Sequence, residues 1–177
     1  MLRAEPITEN YADLARVEAL AAEAFPPKEY LAPSQMIGMA KSGGFDFWAL
    51  RDGDAFVGFM TVMTYGRLAY LFFLAIDGPL RSKGYGSGAL GLLRTLYPGR
   101  RQVVDMEKPD ENAENSAQRE RRRRFYLRNG YRATGQYLSY LGVDYEVLCA
   151  GGGFDFGSFR ELMKRIRIDG FAPEYFS

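Results

Sequence analysis

Two groups of residues in this 177-residue chain have types and spacings that could do chemistry. The first is Arg81-Ser82-Lys83-Gly84-Tyr85-Gly86-Ser87, which follows an apolar run ending in Leu74-Ala75-Ile76 and a turn at Asp77-Gly78-Pro79. After it, Leu90, Leu93 and Tyr97 recur at helical spacing. Strand, glycine loop and helix in that order make an anion cradle. Glycine lets backbone N–H groups approach with no Cβ in the way, the helix start adds partial positive charge, and Arg81 and Lys83 add formal charge. There is no Gly-x-x-x-x-Gly-Lys-Ser/Thr, and the spacing alone also describes a tight turn before a packing helix. The second group is Asp105 and Glu107, two apart in a strand and therefore on one side of it. Either both are solvated near the strand end or one accepts a proton. Glu107 is the preferred acceptor, because it lies nearer the carboxyl end, where open α/β sheets place their ligands.

Composition narrows the chemistry. The chain contains no histidine and one cysteine, Cys149. That excludes Ser/His/Asp and Cys/His catalysis and an internal disulfide, and removes the usual metal ligand, so no metal is expected. Cys149 reads as a buried strand residue. At 47% hydrophobic and 15% aromatic content the chain can bury a real core. The net charge of +1 hides an acidic stretch, Asp105 to Glu114, and a basic one, Arg119 to Arg128. No whole-protein affinity for nucleic acid follows. The N-terminus has no apolar signal region, and nothing reaches the length of a spanning helix, so a soluble cytoplasmic protein with no membrane contact is expected.

The elements that must position these groups can be read from the pattern. A short strand at Leu2 to Pro6 precedes a helix opened by Thr8 and running to about Ala24, with Tyr11, Leu14, Val17, Leu20 and Ala21 on one face. Phe25-Pro-Pro-Lys-Glu-Tyr30 breaks it, and a second helix runs from Pro33-Ser34 to Lys41, stopped by Gly43-Gly44. Strands at Phe45 to Leu50, Ala55 to Tyr65 and Leu68 to Ile76 form a meander. A strand at Gln102 to Glu107 lies parallel to the third, because a helix connects them. A helix from Ser116 to Arg128 is capped by Asn129-Gly130, with an exposed, charge-laced surface. Strands at Tyr131 to Gln136, Tyr137 to Leu141 and Tyr145 to Cys149 close the sheet, the last two joined through Gly142-Val143-Asp144, and Phe156 to Ile168 forms a tail helix that covers an edge or builds a dimer contact. One domain over 1–177 is expected, with a core of about 2–149 and an extension of about 154–177.

The glycine loop resembles the acetyl-CoA motif of the GNAT superfamily of N-acetyltransferases, Gln/Arg-x-x-Gly-x-Gly/Ala, met by Arg81, Gly84 and Gly86. A second family pattern, Phe/Leu-Tyr-x-x-x-Gly-Phe/Tyr, is met in the right order by Phe125, Tyr126, Gly130 and Tyr131. The resemblance spans roughly Leu2 to Cys149. It implies an α+β fold with a mixed, mostly antiparallel sheet flanked by helices, opening in a V between the fourth and fifth strands where acetyl-CoA lies. It further implies that the amides of Arg81 to Ser87 hold the CoA pyrophosphate and that Leu74, Ala75 and Ile76 pair with the pantetheine arm. Tyr126 would be the acid at the CoA sulfur and Glu107 the base for a primary amine attacking directly. A Phe-Pro-x-x-Glu loop, met by Phe25, Pro26 and Glu29, would wall the acceptor pocket, with Tyr30 and Asp105 beside it; its other reading is a rigid connector. The family's asparagine before the tyrosine is replaced by Arg119, and Asn115, one turn earlier, is the nearest candidate for its pantetheine contact. The acceptor would be a small-molecule or peptide amine. Two other classes stay open: an acyl-CoA-binding sensor or scaffold without turnover, and a nucleic-acid binder using the Arg119 to Arg128 helix.

Overall fold

The computed structural model describes residues 1–177, which gather into two units: Met1–Thr64 with Leu71–Pro98, and Tyr65–Tyr70 with Gly99–Ser177.

In the first unit, β1 (Leu2–Pro6) leads to α1 (Leu14–Ala24). The helix starts later than Thr8, because the chain from Thr8 to Asp13 is spent in turns. Tyr11 N–H donates to the Thr8 carbonyl at 3.0 Å and Leu14 N–H to the Tyr11 carbonyl at 3.1 Å. The Thr8 hydroxyl accepts from Asn10 N–H at 3.3 Å and so organises a turn, not the helix end. Val17, Leu20 and Ala21 are the buried face, and Pro26 and Pro27 follow, where no helix can continue. Helix α2 (Pro33–Lys41) has proline in its first turn and buries Pro33, Met36 and Ile37. Gly43 and Gly44, at φ of 82° and 72°, turn the chain into β2 (Phe45–Asp52).

Strand β2 pairs antiparallel with β1 on one side and with β3 (Ala55–Tyr65) on the other. Between β2 and β3 the register slips: Leu50 faces Gly58 and Arg51 faces Phe56, leaving Val57 as an extra residue. The next strand, β4 (Leu68–Ile76), is shared, its last six residues lying in the first unit. A short 3-10 turn, Gly78–Leu80, and the basic loop lead to α3 (Tyr85–Leu96), which buries Ala89, Leu90 and Leu93. Gly86, Gly88 and Gly91 spell Gly-x-Gly-x-x-Gly, but all three lie within α3, so the pattern is not the strand-to-helix bend of a dinucleotide site.

In the second unit, Leu68, Ala69 and Tyr70 of β4 pair in parallel with Arg101, Gln102 and Val103 of β5 (Arg101–Glu107). This is the parallel pair that the strand, helix and strand order requires. Helix α4 (Ser116–Arg128) ends as expected at Asn129, followed by Gly130 at φ 90°. The closing strands differ from expectation. β6 (Arg132–Tyr140) is one strand with an irregularity between Ala133 and Tyr137, where Gly135 has φ 74°. The turn to β7 (Val143–Ala150) is Leu141-Gly142, both at positive φ (53° and 77°), the two-residue geometry whose twist matches a hairpin. Helix α5 is shorter than its apolar pattern, Phe156–Met163, opened by Asp155, which accepts from Ser158 N–H at 3.2 Å. The chain then adds β8 (Glu174–Phe176) to the free edge of β6. The tail therefore covers an edge, by a strand and not by the helix.

The full strand order is β1-β2-β3-β4-β5-β7-β6-β8, antiparallel in its assigned pairings except at β4 and β5. Five helices accompany it. This is the α+β class with a mixed, mostly antiparallel sheet.

Candidate active site

The anion cradle lies wholly in the first unit. Gly84 adopts φ 85°, a conformation that a side chain would strain, and a Cβ there would meet no atom within 4 Å. Its carbonyl accepts from Gly88 N–H at 2.9 Å, closing the first turn of α3 and leaving the N–H groups of Tyr85, Gly86 and Ser87 at the helix start. Arg81 does more than add charge. Its Nε donates to the Ile76 carbonyl at 3.1 Å and its terminal nitrogen meets Glu23 of α1 at 2.9 Å, so it ties the loop to the end of β4. Arg16 ties Asp77 to α1 in the same way, at 3.1 Å. Ser82, at φ 63°, and Lys83 are exposed on the bend. The Tyr85 phenol is committed elsewhere, donating to Asp52 at 2.9 Å, and this bond raises its pKa. What Tyr85 can offer a ligand is its backbone.

Leu74 and Ile76, at the end of β4, are half-buried, and Ala75 between them is buried. Phe25 packs on Phe73 with ring centres 4.5 Å apart and on Phe59 at 6.2 Å, so the proline loop is pinned to β4 by an aromatic contact. Glu29 N–H donates to the Pro26 carbonyl at 2.9 Å, which folds the loop and carries Tyr30 to the surface.

The second unit holds the carboxylates and Tyr126. Asp105 accepts hydrogen bonds from the phenols of Tyr70 and, at 3.2 Å, Tyr140. The Tyr140 ring stacks on Tyr145, 4.1 Å away and nearly parallel. Burial raises the Tyr70 and Tyr140 pKa values, and the Asp105 charge raises them further. Sequence reasoning did not single out Tyr70 or Tyr140. Tyr70 could have been found, since it faces Val103 in the parallel pair, but Tyr140 meets Asp105 only through the pairing of β6, β7 and β5.

Glu107 is placed differently. Its carboxylate meets Arg119 at 2.8 Å, Arg122 at 3.8 Å and the Asn115 amide at 3.2 and 3.4 Å. Arg119 also donates to Asn115 Oδ1 at 2.8 Å and to the Lys108 carbonyl at 3.0 Å. So Asn115 and Arg119 brace the start of α4 against the end of β5. Arg123 makes a second brace, two of its nitrogens donating to the Glu146 carboxylate at 2.9 and 3.2 Å. Three of the helix arginines are thus spent inside the unit, while Arg121 and Arg124 are exposed. Tyr126 packs edge-on against Phe125 and Tyr131. Burial pushes its phenol up to about 12, so it is a neutral proton donor at ordinary pH. Cys149 is 5% exposed and burial raises its thiol pKa, as suits a packing residue. No group of three or more Cys, Asp and Glu side chains could hold a metal ion, and no helix is long and apolar enough to cross a membrane.

No protein-family model matches the chain, and no curated protein does. Solved structures do. A GNAT-family protein from Bacteroides thetaiotaomicron, described as an acetyltransferase, superposes with a TM-score of 0.71 at 25% identity, over 90% of this chain and 92% of that one. An aminoglycoside 6'-N-acetyltransferase complexed with coenzyme A matches at TM-score 0.66 and 17% identity, over 86% of this chain and 99% of that one. NAA60 of Arabidopsis thaliana, in complex with a bisubstrate analogue, matches at 0.60 and 16%, over 84% and 97%.

Proposed function

Since the chain has the GNAT N-acetyltransferase fold, which supports acyl transfer in general, we propose that it moves an acetyl group from acetyl-CoA to a primary amine by direct attack. The observation that carries this reading is the loop after β4, where a left-handed Gly84, an exposed basic bend and the first amides of a twelve-residue helix converge. That donor set fits a pyrophosphate: three backbone N–H groups at a helix start, with Lys83 beside them and nothing filling the space over Gly84. Acetyl-CoA would supply an acetyl group already activated as a thioester. The protein's part is to bind, orient and move protons. A main-chain N–H at Leu74 or its neighbour is the donor proposed for the oxygen that gains charge. Tyr126 is the proposed acid for the departing sulfur.

For the base, the surroundings of the two carboxylates support a different choice from the sequence reading. The Glu107 carboxylate is taken up by two guanidinium groups and the Asn115 amide, which leaves it a weak attractor of a further cation. Asp105 is met by the phenols of Tyr70 and Tyr140. We therefore place the incoming ammonium and its proton at Asp105 and give Glu107 the task of fixing α4. The acceptor would be a small-molecule or peptide amine. The test is a thiol-release screen over a panel of primary amines, paired with melting curves in CoA. Release with at least one amine and a rise in Tm with CoA are expected, and Gly84→Val should fold yet lose the rise. A protein stabilised by CoA that releases no thiol with any amine would be a sensor. One whose Tm ignores CoA would have no cofactor site here.

A further inference from the structure

The end of β4 owes its course to two residues of the neighbouring strand. On β3, Thr61 is fully buried, and its Oγ1 accepts a hydrogen bond from Phe73 N–H at 3.0 Å. Side chains stand out of a sheet, so a side-chain oxygen reaches a neighbouring strand's N–H only where the local backbone leaves the regular plane. Three residues before Thr61 is Gly58, beside the extra residue Val57. A Cβ built on Gly58 would lie 2.1 Å from the Ala75 carbonyl oxygen, 3.0 Å from Ile76 Cα and 3.1 Å from the Ala75 carbonyl carbon. All three are backbone atoms, so no rotamer change relieves the overlap. At Gly88 and Gly152, by contrast, a Cβ would meet only side-chain atoms, no nearer than 3.3 Å. Just beyond, Asp77 N–H donates to the Val57 carbonyl at 2.8 Å. The segment Phe73–Asp77 is thus fixed at three points by β3: a hydroxyl at its start, a missing side chain in its middle and a carbonyl at its end.

We infer that Gly58 and Thr61 are positioning residues for the acyl-CoA arm, setting the path of the β4 backbone at Leu74, Ala75 and Ile76. This rests on the cofactor reading above. A strand that offers main-chain groups to a ligand needs them aimed away from its own ladder, and a bulged neighbour with a glycine at the point of contact and a hydroxyl next to it achieves this without placing a side chain in the ligand's way. Neither residue need touch the cofactor.

The experiment uses Thr61→Val, which keeps the shape and removes the acceptor, Thr61→Ser, which restores it, and Gly58→Ala. Val62→Ala, a fully buried change on the same strand, controls for lost stability. CoA affinity is measured by calorimetry, and amide exchange of the 71–77 peptide is followed without CoA. Thr61→Val and Gly58→Ala should weaken CoA binding tenfold or more and speed exchange in that peptide. Thr61→Ser should match the parent in both, and Val62→Ala should lower Tm with parental affinity. Parental affinity in Thr61→Val and Gly58→Ala overturns the inference alone, as does equal weakening by Val62→Ala. A parent protein that binds no CoA removes the cofactor reading and this inference with it.

Discussion

At the scale of single residues, the chemistry rests on groups whose surroundings differ more than their types. Tyr126 is half-buried and Tyr131 fully buried, with rings 5.4 Å apart, and only Tyr126 is the proposed acid. Tyr126→Phe keeps the ring contacts, so Tm and CoA affinity should stay near the parent's, while turnover should fall by ~100-fold, the typical cost of a positioned acid. Tyr131→Phe is the control and should turn over normally. If Tyr126→Phe keeps the parental rate under conditions where chemistry limits it, protonation of the sulfur comes from water. The carboxylates give the companion prediction. Asp105→Asn should lose turnover most at pH values below the acceptor's own pKa, where the amine arrives as ammonium. Glu107→Gln should mainly lower Tm, by loosening Arg119 and Asn115. The opposite pattern in a pH–rate series would return the base to Glu107.

At the scale of elements, α4 has no fully buried residue, so its attachment is unusually polar. Arg123 is about one-third exposed, but Glu146 is 4% exposed and depends on it. Removing one partner strands a buried charge, whereas removing both does not. Arg123→Ala should therefore cost about 2 kcal/mol, below the usual range for a fully buried pair because solvent reaches the guanidinium. In a chain of this size that is a Tm loss of roughly 4–8 °C. The double replacement Arg123→Met with Glu146→Leu should recover most of it. Urea unfolding of the two singles and the double measures the coupling; a double variant as unstable as Arg123→Ala would mean that the pair is not what holds the helix.

For the whole molecule, the buried phenols predict an alkaline limit to stability. Tyr70, Tyr126 and Tyr140 all have raised pKa values, chiefly through burial. A phenol is neutral when protonated, and its unfolded value is ~10. Below that pH both states hold the proton and the contribution is fully present. Above it the unfolded chain ionises while the native phenols do not, so stability falls as pH rises from ~10 toward the folded values. The urea midpoint should be flat from pH ~8 to ~9.5 and drop steeply beyond, with phenolate absorbance appearing together with unfolding. Phenolate that titrates near pH 10 in the still-folded protein for all twelve tyrosines would contradict it.

Much of this could be read from the chain alone, because the signals are local. Glycine at 84 and 130, the proline pair at 26 and 27 and the apolar run of β4 act through backbone freedom and side-chain period, which each residue carries with it. Those fixed the loop, the helix ends and the class of fold. What was not legible depends on partners distant in sequence. Thr8 looks like a helix cap until its hydroxyl is spent in a turn, and the pairing of the last three tail residues with β6 is announced by no local pattern. Asp105 and Glu107 are the same chemical group two residues apart, and no local rule separates them. Only the packed structure does, by bringing two phenols to one and two guanidinium groups to the other.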